Sequence, residues 1–148
     1  MKWKLGGTAR AESLAVAGDP YAGSLFGGQH DVRELGDGSI TLHDNGSDLG
    51  RPPRALRYEV EDGAATLIGE QTDSAVSDSS CCGSARFTGG AWVASWGGTP
   101  IVSEFDHGRE TFTLDLGSRW SYRAIPVDGE TDATTLREGM NDQVALAK

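Results

Sequence analysis

The chain has few of the features that mark nucleic-acid-binding or membrane-spanning proteins. Lysine and arginine number 13 against 22 aspartate and glutamate residues, which gives a formal charge of -9. Binding to a phosphate backbone through bulk electrostatics is therefore not expected. No apolar run approaches the roughly 20 residues that a membrane-crossing helix needs, and the start of the chain has no signal-peptide apolar region. We accordingly predict no nucleic-acid partner and no membrane span.

Cysteine is also scarce, because Cys81 and Cys82 are the only two and they are adjacent. This spacing matches neither zinc ligation nor a Cys-x-x-Cys redox motif. A strained vicinal disulfide and a pair of packed thiols both stay open, and a structural role is favoured over a redox role. Histidine, aspartate and glutamate show no metal-ligand spacing on one element, so no metal site is predicted.

What the chain has in abundance is glycine, at 21 residues, beside a hydrophobic fraction of 37%. Short runs of period two alternate with turns rich in glycine and aspartate, a pattern that predicts an all-β fold. The predicted strands lie near residues 2–5, 30–35, 39–44, 54–60, 65–70, 84–88, 91–96, 101–106, 110–116 and 121–127. Residues 9–17 are predicted to form a loop or one short helical stretch.

The strands fall into related units. Residues 32–46 align with residues 85–98, which places Arg33 opposite Arg86, and a third unit begins near residue 121, where Arg123 takes the same position. A repeated four-stranded unit of about 50 residues is typical of a β-propeller blade. The prediction is an antiparallel β-propeller fragment over residues 1–127 with about two complete four-stranded blades. Its blades lie near 29–71 and 83–117, with partial strands at 2–7 and 121–127, and a C-terminal tail over 128–148 that holds at most a short helix.

An ordered set of motifs resembles the bacterial arylsulfotransferase family and its actinobacterial arylsulfotransferase-like relatives. The motifs are WKLGG at 3–7, QHDVR at 29–33, SITLHDNG at 39–46, PRALRYEV at 53–60, GSAR at 83–86, SWGG at 95–98 and SYRA at 121–124. No single motif is specific, but their order and spacing cover most of residues 2–125. The resemblance implies that the chain corresponds to the C-terminal part of a six-bladed propeller.

The resemblance implies a sulfuryl transfer that needs no cofactor, from a small aryl sulfate donor to a phenolic acceptor. In the family the histidine of the GlnHis motif carries the sulfuryl group, so His30 would be the catalytic residue. The family's other sulfate-holding groups belong to blades upstream, so we expect the isolated chain to be inactive and to pair with the missing propeller blades or with itself. Family members are usually exported. The alternative is a non-catalytic β-propeller that acts as a binding or scaffold module, because a fold does not fix a function.

The recurring arginines have two interpretations. Arg33, Arg86 and Arg123 either hold a sulfate through bidentate contacts in a central channel, or clamp neighbouring units through a backbone carbonyl or a carboxylate. Ser84 lies two residues before Arg86 and so on the same strand face. We predict that it adds a hydroxyl contact to a sulfate oxygen.

The histidines differ in their expected roles. Without the resemblance, His30 at the start of a strand would be taken as structural, and Asp31 would orient its ring only if the chain turns there, since consecutive strand residues point to opposite faces. His43 precedes an AspAsnGly turn and is predicted to be structural, while His107 at a hairpin tip is predicted to be solvated. The tryptophans predicted to pack between units are Trp92, Trp96 and Trp120.

Overall fold

The computed structural model describes residues 2–127 together with residues 134, 135, 137 and 138. Its strands are β1 (Ala15–Ala17), β2 (Gln29–Glu34), β3 (Ile40–Asp44), β4 (Arg54–Glu61), β5 (Ala64–Gln71), β6 (Ser84–Thr88), β7 (Ala91–Ser95), β8 (Ile101–Asp106) and β9 (Arg109–Asp115). They form a five-stranded sheet in the order β1-β5-β4-β3-β2 and a four-stranded sheet in the order β6-β7-β8-β9, and neither sheet closes on itself in the described residues. The prediction of an all-β fold dominated by antiparallel pairing is confirmed.

Tight turns set the register of three hairpins. Each turn has two residues with positive φ, namely Asp62 and Gly63, Gly89 and Gly90, and His107 and Gly108. Positive φ at both central residues is the conformation of a type I′ turn, whose twist matches that of the flanking strands. The pairs that flank these turns are Glu61 with Ala64, Thr88 with Ala91 and Asp106 with Arg109. The His107 side chain is 78% exposed at its hairpin tip, as predicted.

Three local predictions are wrong. Residues 2–5 form no strand and make one isolated bridge, between Lys4 and Ser13, and residues 121–127 form no strand either. By contrast, Ala15–Ala17, expected in a loop or helical stretch, forms β1 because it pairs in parallel with the free edge of β5. The predicted tail 128–148 lies mostly outside the described residues. Within the described part of the chain, no helix is long and apolar enough to cross a membrane.

The five-stranded sheet buries apolar side chains on both faces because successive strand residues point to opposite sides. One face of β4 contributes Ala55 to a core that the other sheet completes. That core contains Ala55, Val76, Ala85, Trp92, Ala94, Trp96 and Phe105. Leu56 faces the opposite side, in a second core with Leu42, Tyr58 and Ala65, which Leu5, Leu14, Val16 and Phe26 cover. The strand β4 therefore lies between two cores.

The tryptophans predicted to pack between units divide into two groups. Trp92 and Trp96 are 4% and 0% exposed in the core shared by the sheets, and the indole N–H of Trp96 donates to Ser103 Oγ at 3.0 Å. Trp120 is 58% exposed, so its predicted core position is wrong. The segment that carries Trp120 follows β9 without pairing into either sheet, which leaves its apolar side chains in solvent.

A loop at residues 79–83, called here the junction loop, joins the two sheets. Ser47 Oγ, beyond β3, donates to Ser79 O at 3.3 Å, and Gly98 N, beyond β7, donates to Ser79 Oγ at 3.2 Å. Asn45 Nδ2 donates to Cys82 O at 3.1 Å. Hydrogen bonds from both sheets therefore converge on this one short loop.

Gly97→Ala is expected to destabilise the protein because a Cβ at Gly97 would lie 1.9 Å from Cys81 O in the junction loop. Gly63→Ala is the matched control, since Gly63 also has positive φ, at 79° against 61°, but a Cβ there meets nothing within 4 Å. Both variants carry the backbone cost of a side chain at positive φ. We expect Gly97→Ala to cost about 1–3 kcal/mol more in urea unfolding, as overpacking does. Equal losses of unfolding free energy in Gly97→Ala and Gly63→Ala would show that the junction loop moves away from the added methyl group without cost.

Candidate functional site

The strand β2 is interrupted directly after His30. His30 pairs with His43 of β3, but the next registered pair is Arg33 with Thr41, so the strand bulges between them. Asp31 has a φ of 53° in this bulge. A bulge interrupts the alternation of a strand and re-aims a side chain. The chain therefore does turn at Asp31, as orientation of the His30 ring by this carboxylate would require. The contacts of the carboxylate are with arginines.

The three recurring arginines meet at the Asp31 carboxylate. Its Oδ1 atom lies 3.4 Å from Arg33 Nε, 3.0 Å from Arg86 Nη2 and 4.0 Å from Arg123 Nε. The Arg33 contact is a hydrogen bond, whereas Arg86 Nη2 approaches the oxygen without hydrogen-bond alignment. Three residues from three sequence units are thus brought to one point, where they face a carboxylate.

The Asp31 carboxylate is enclosed and only partly satisfied. Its side chain is 3% exposed, and Oδ2 has no hydrogen-bond partner among the described residues. Burial raises the pKa of Asp31 above its ordinary value, although Arg33, Arg123 and the backbone N–H of Ala85 act in the opposite direction. One carboxylate cannot neutralise three guanidinium groups, so the cluster has an excess of positive charge.

The arginines of this cluster differ in exposure. The Arg86 side chain is 8% exposed and lies inside the junction of the two sheets. Arg33 and Arg123 are 46% and 44% exposed, and the Arg123 guanidinium lies 5.1 Å from the centre of the Tyr122 ring. Arg33 and Arg123 can therefore receive an anion from solvent, while Arg86 stabilises the carboxylate from behind.

His43, the cross-strand partner of His30, forms a buried pair with Asn45. His43 is 0% exposed, its Nε2 lies 3.0 Å from Asn45 Oδ1, and its ring centre lies 5.8 Å from that of Trp96. Burial lowers the pKa of His43 to about 4, although the Asn45 hydrogen bond and Asp44 act in the opposite direction. His43 is therefore neutral near pH 7 and has a structural environment. Asp44 caps the predicted turn after β3, since Gly46 N donates to Asp44 Oδ1 at 3.1 Å.

Ser84 binds the backbone of Ala124 through its hydroxyl. It is fully buried, its Oγ accepts from Ala124 N at 3.0 Å, and the hydroxyl lies 3.3 Å from Ala124 O. Ser95 Oγ similarly donates to Ser121 O at 2.9 Å. These bonds hold residues 121–124 against β6 and β7 and so bring Arg123 to Asp31. The structure gives the Ser84 hydroxyl a positioning role, and its sulfate contact stays a prediction.

The sequence motifs did not reveal a buried ionic network on the far side of β3 and β4. Arg54 Nη1 lies 3.2 Å from Asp19 Oδ1, and Arg54 Nη2 lies 3.2 Å from Asp44 Oδ2. Arg51 Nη2 contacts the same Asp44 oxygen at 2.6 Å. The only signal in the sequence was an arginine at the start of the otherwise apolar strand β4. Each arginine of the network pairs with a buried carboxylate, which indicates a structural role.

No protein-family model, curated protein or solved structure matches the chain. Among the described residues, no group of three or more histidine, cysteine, aspartate or glutamate side chains is placed to hold a metal ion. The chemical character of the site therefore rests on the arginine cluster around Asp31 and on His30, the residue before it in the chain. A cationic cluster with two half-exposed guanidinium groups is suited to small oxyanions.

Proposed function

We propose that the chain is part of an arylsulfotransferase-like β-propeller, in which His30 carries a sulfuryl group from a phenolic sulfate to a phenolic acceptor. In this proposal the two sheets are neighbouring blades, with β2 and β6 as their innermost strands. Contacts of β6 with β2, β3 and β4 support this arrangement. The propeller interpretation also assigns the exposed Phe112 and Leu114 of β9 to contacts with a further blade or a second copy of the chain.

The observation that carries the proposal is the convergence of Arg33, Arg86 and Arg123 on Asp31, the residue that follows His30 in the chain. Guanidinium groups match the geometry of sulfate oxygens, and fixed positive charge stabilises the charge that develops during transfer. The cluster carries three cations for the single carboxylate of Asp31. An aryl sulfate bound to Arg33 and Arg123 would place its sulfur close to the strand that carries His30.

The proposed transfer has two steps. A ring nitrogen of neutral His30 attacks the sulfur atom, the bond from sulfur to the phenolic oxygen breaks, and the phenolate leaves. The acceptor phenol then attacks the sulfur of the sulfuryl-imidazole, the bond from sulfur to the ring nitrogen breaks, and the proton of the phenol passes to solvent as neutral histidine is released. Atoms and charge balance without a cofactor. The arginines hold the sulfuryl oxygens in both steps.

A second candidate is a non-catalytic binding or scaffold module. The observation that favours it is the position of Asp31, whose Oδ1 atom already contacts all three arginines. In that case the arginines clamp neighbouring units through a carboxylate, and the excess charge serves only to secure the clamp. The two candidates predict different anion affinities once the Asp31 charge is removed.

Asp31→Asn tests the proposal in the full chain, with 4-nitrophenyl sulfate as the probe. Removing one negative charge beside the arginines should tighten binding of the anion about tenfold, and Arg33→Gln or Arg123→Gln should weaken it by a similar factor. Asp106→Asn is the control, because it changes net charge equally at an exposed hairpin position. The measurement is a titration followed by calorimetry or by chemical shifts of the His30 ring.

The covalent step is tested on the same samples by peptide mass spectrometry. Prolonged incubation should add one sulfuryl group to His30, and His30→Ala should abolish the adduct while His107→Ala keeps it. Turnover by the isolated chain is expected to be negligible, because loss of even one preorganised donor costs on the order of 10² to 10³ in rate. Unchanged affinity in Asp31→Asn, together with no adduct, would favour the scaffold module.

A further inference from the structure

The two cysteines lie in contact within the junction loop. Their sulfur atoms are 2.8 Å apart, with the Cys82 thiol donating to Cys81, against about 2.05 Å in a disulfide bond. Both residues are free thiols and are only half-buried. A small reagent in solvent can therefore reach a pair of sulfur atoms that the fold already holds together.

The backbone of the loop is held in the conformation that places these sulfurs together. Cys82 has a φ of 62°, which residues other than glycine rarely adopt and which persists only where the surroundings enforce it. Asn45 Nδ2 supplies one restraint by donating to Cys82 O. Gly97 supplies another, since it packs so closely against Cys81 O that a Cβ would not fit.

We propose that Cys81 and Cys82 form a reversible redox site, a dithiol that small thiol disulfides such as glutathione disulfide oxidise to a vicinal disulfide. The site is separate from the anion cluster, and it does not depend on the proposed sulfuryl transfer. It assigns the cysteines the redox role that their spacing alone did not favour.

The exchange proceeds in two steps. The Cys81 thiolate attacks one sulfur of glutathione disulfide, a glutathione thiolate leaves, and Cys81 carries a mixed disulfide. Cys82 then loses its proton and attacks the Cys81 sulfur, and the second glutathione leaves. The protein loses two electrons and two protons, and the reagent is reduced to two thiols. The Cys82 thiol donates to the Cys81 sulfur, which favours Cys81 as the first nucleophile. The same hydrogen bond, aided by burial, raises the pKa of Cys82 to about 11.

Ring closure between adjacent residues makes a labile bond. Adjacent Cα atoms are about 3.8 Å apart across a trans peptide, whereas disulfides usually join Cα atoms about 4.4–6.8 Å apart. Strained disulfides have more oxidising potentials and are the readily reduced ones. The pair therefore acts as a switch rather than as a permanent link, and it acts on the loop that joins the two sheets.

The test incubates the reduced full chain with glutathione disulfide and follows intact mass and free thiols. We expect loss of both thiols and a mass decrease of about 2 Da without a retained glutathione, reversed by dithiothreitol. Cys81→Ser and Cys82→Ser should each keep one glutathione as a stable mixed disulfide. In urea, where the loop is unfolded, the wild-type chain should retain glutathione adducts that the folded chain resolves.

Several results would overturn the proposal. Stable glutathione adducts on both cysteines of the folded chain would show that ring closure is blocked, and disulfide-linked dimers would show that the thiols pair between molecules. If both thiols of the wild-type chain stay unmodified while the Cys81 thiol of the Cys82→Ser variant reacts fully, the native pair is closed to reagents. The single-serine variants should keep the fold, since serine is close to cysteine in size and both thiols are only half-buried.

Discussion

Replacing Arg54 with methionine is expected to lower the free energy of unfolding by about 3–5 kcal/mol, as removal of one partner from a buried ion pair does. The Arg54 side chain is 2% exposed, and its guanidinium bonds to Asp19 and Asp44, both 0% exposed. It also donates to Leu25 O at 3.0 Å. Methionine keeps the volume and removes the charge, so both carboxylates lose a cation in an enclosed site.

The expected loss at Arg54 is large because Asp19 depends on it. Burial acts to raise the pKa of Asp19, but the hydrogen bonds from Tyr58, Tyr21 and Arg54, together with the charge of Arg54, outweigh it and lower the pKa. That carboxylate therefore contributes stability above its ordinary pKa of about 3.8, and the contribution is lost as the pH falls through its lower folded pKa. Without Arg54 the balance shifts toward the burial penalty. A domain whose total stability is about 5–15 kcal/mol would lose a large fraction of it.

Arg57→Met is the matched control, on the same strand and with the same change in charge. Arg57 pairs with Asp37, which is 56% exposed, at 2.5 Å, and its guanidinium lies 4.5 Å from the centre of the Phe87 ring. An exposed pair and a cation–π contact together contribute about 1–2 kcal/mol. Urea unfolding followed by tryptophan fluorescence measures both variants. Similar losses would mean that the Arg54 network is solvated in solution.

The sheets were predictable because their signals are local. Alternating side chains and the AspGly, GlyGly and HisGly dipeptides place the hairpins, and each dipeptide turns with positive φ as a type I′ turn requires. The short strand Ala15–Ala17 was missed because its three residues carry no periodic signal and it forms only by pairing with β5. Residues 121–127 have a strand-like pattern but no neighbouring strand to pair with in the described structure.

The candidate site was predictable only in part. The repeat aligned Arg33, Arg86 and Arg123, and the structure brings them together, but nothing in the sequence showed that Asp31 would turn into their midst. That turn depends on the bulge, which arises from pairing between β2 and β3. Strand alternation places Ser84 on the same strand face as Arg86, but it does not show that the partner of the hydroxyl is the backbone of Ala124. The Arg54 network joins residues up to 35 positions apart, beyond the reach of motif spacing.

The stability of the protein is expected to fall by roughly 3 kcal/mol as the pH decreases from about 6.5 to about 4, because His43 must stay neutral in the fold. Its pKa is lowered from 6.5 to about 4, chiefly by burial, with His30 acting in the same direction and Asn45, Asp44 and Asp31 opposing it. The unfolded chain binds the proton first, so stability is full above pH 6.5 and declines until the folded state also protonates.

The geometry explains why the imidazole resists the proton. Asn45 Nδ2 donates to Gly28 O and Cys82 O, so its Oδ1 is the atom that faces His43 and accepts from Nε2–H. The second ring nitrogen, Nδ1, is buried without a hydrogen-bond partner among the described residues. A proton added there would place an unpaired charge beside the Trp96 ring, and such a charge carries a large desolvation cost.

Comparison of three proteins isolates this titration from that of the carboxylates. We expect the free energy of unfolding, measured in urea between pH 4 and pH 7, to change with pH equally in the wild-type chain and in the exposed-histidine variant His107→Gln. The His43→Gln variant should lose most of this pH dependence. The difference curve cancels Asp31, whose raised pKa acts in the opposite direction as the pH falls. A histidine titration by NMR is the independent check, since the His43 ring should not titrate between pH 7 and pH 5. A midpoint near 6.5 for that ring would show that solvent reaches His43 and that its buried pair with Asn45 is open.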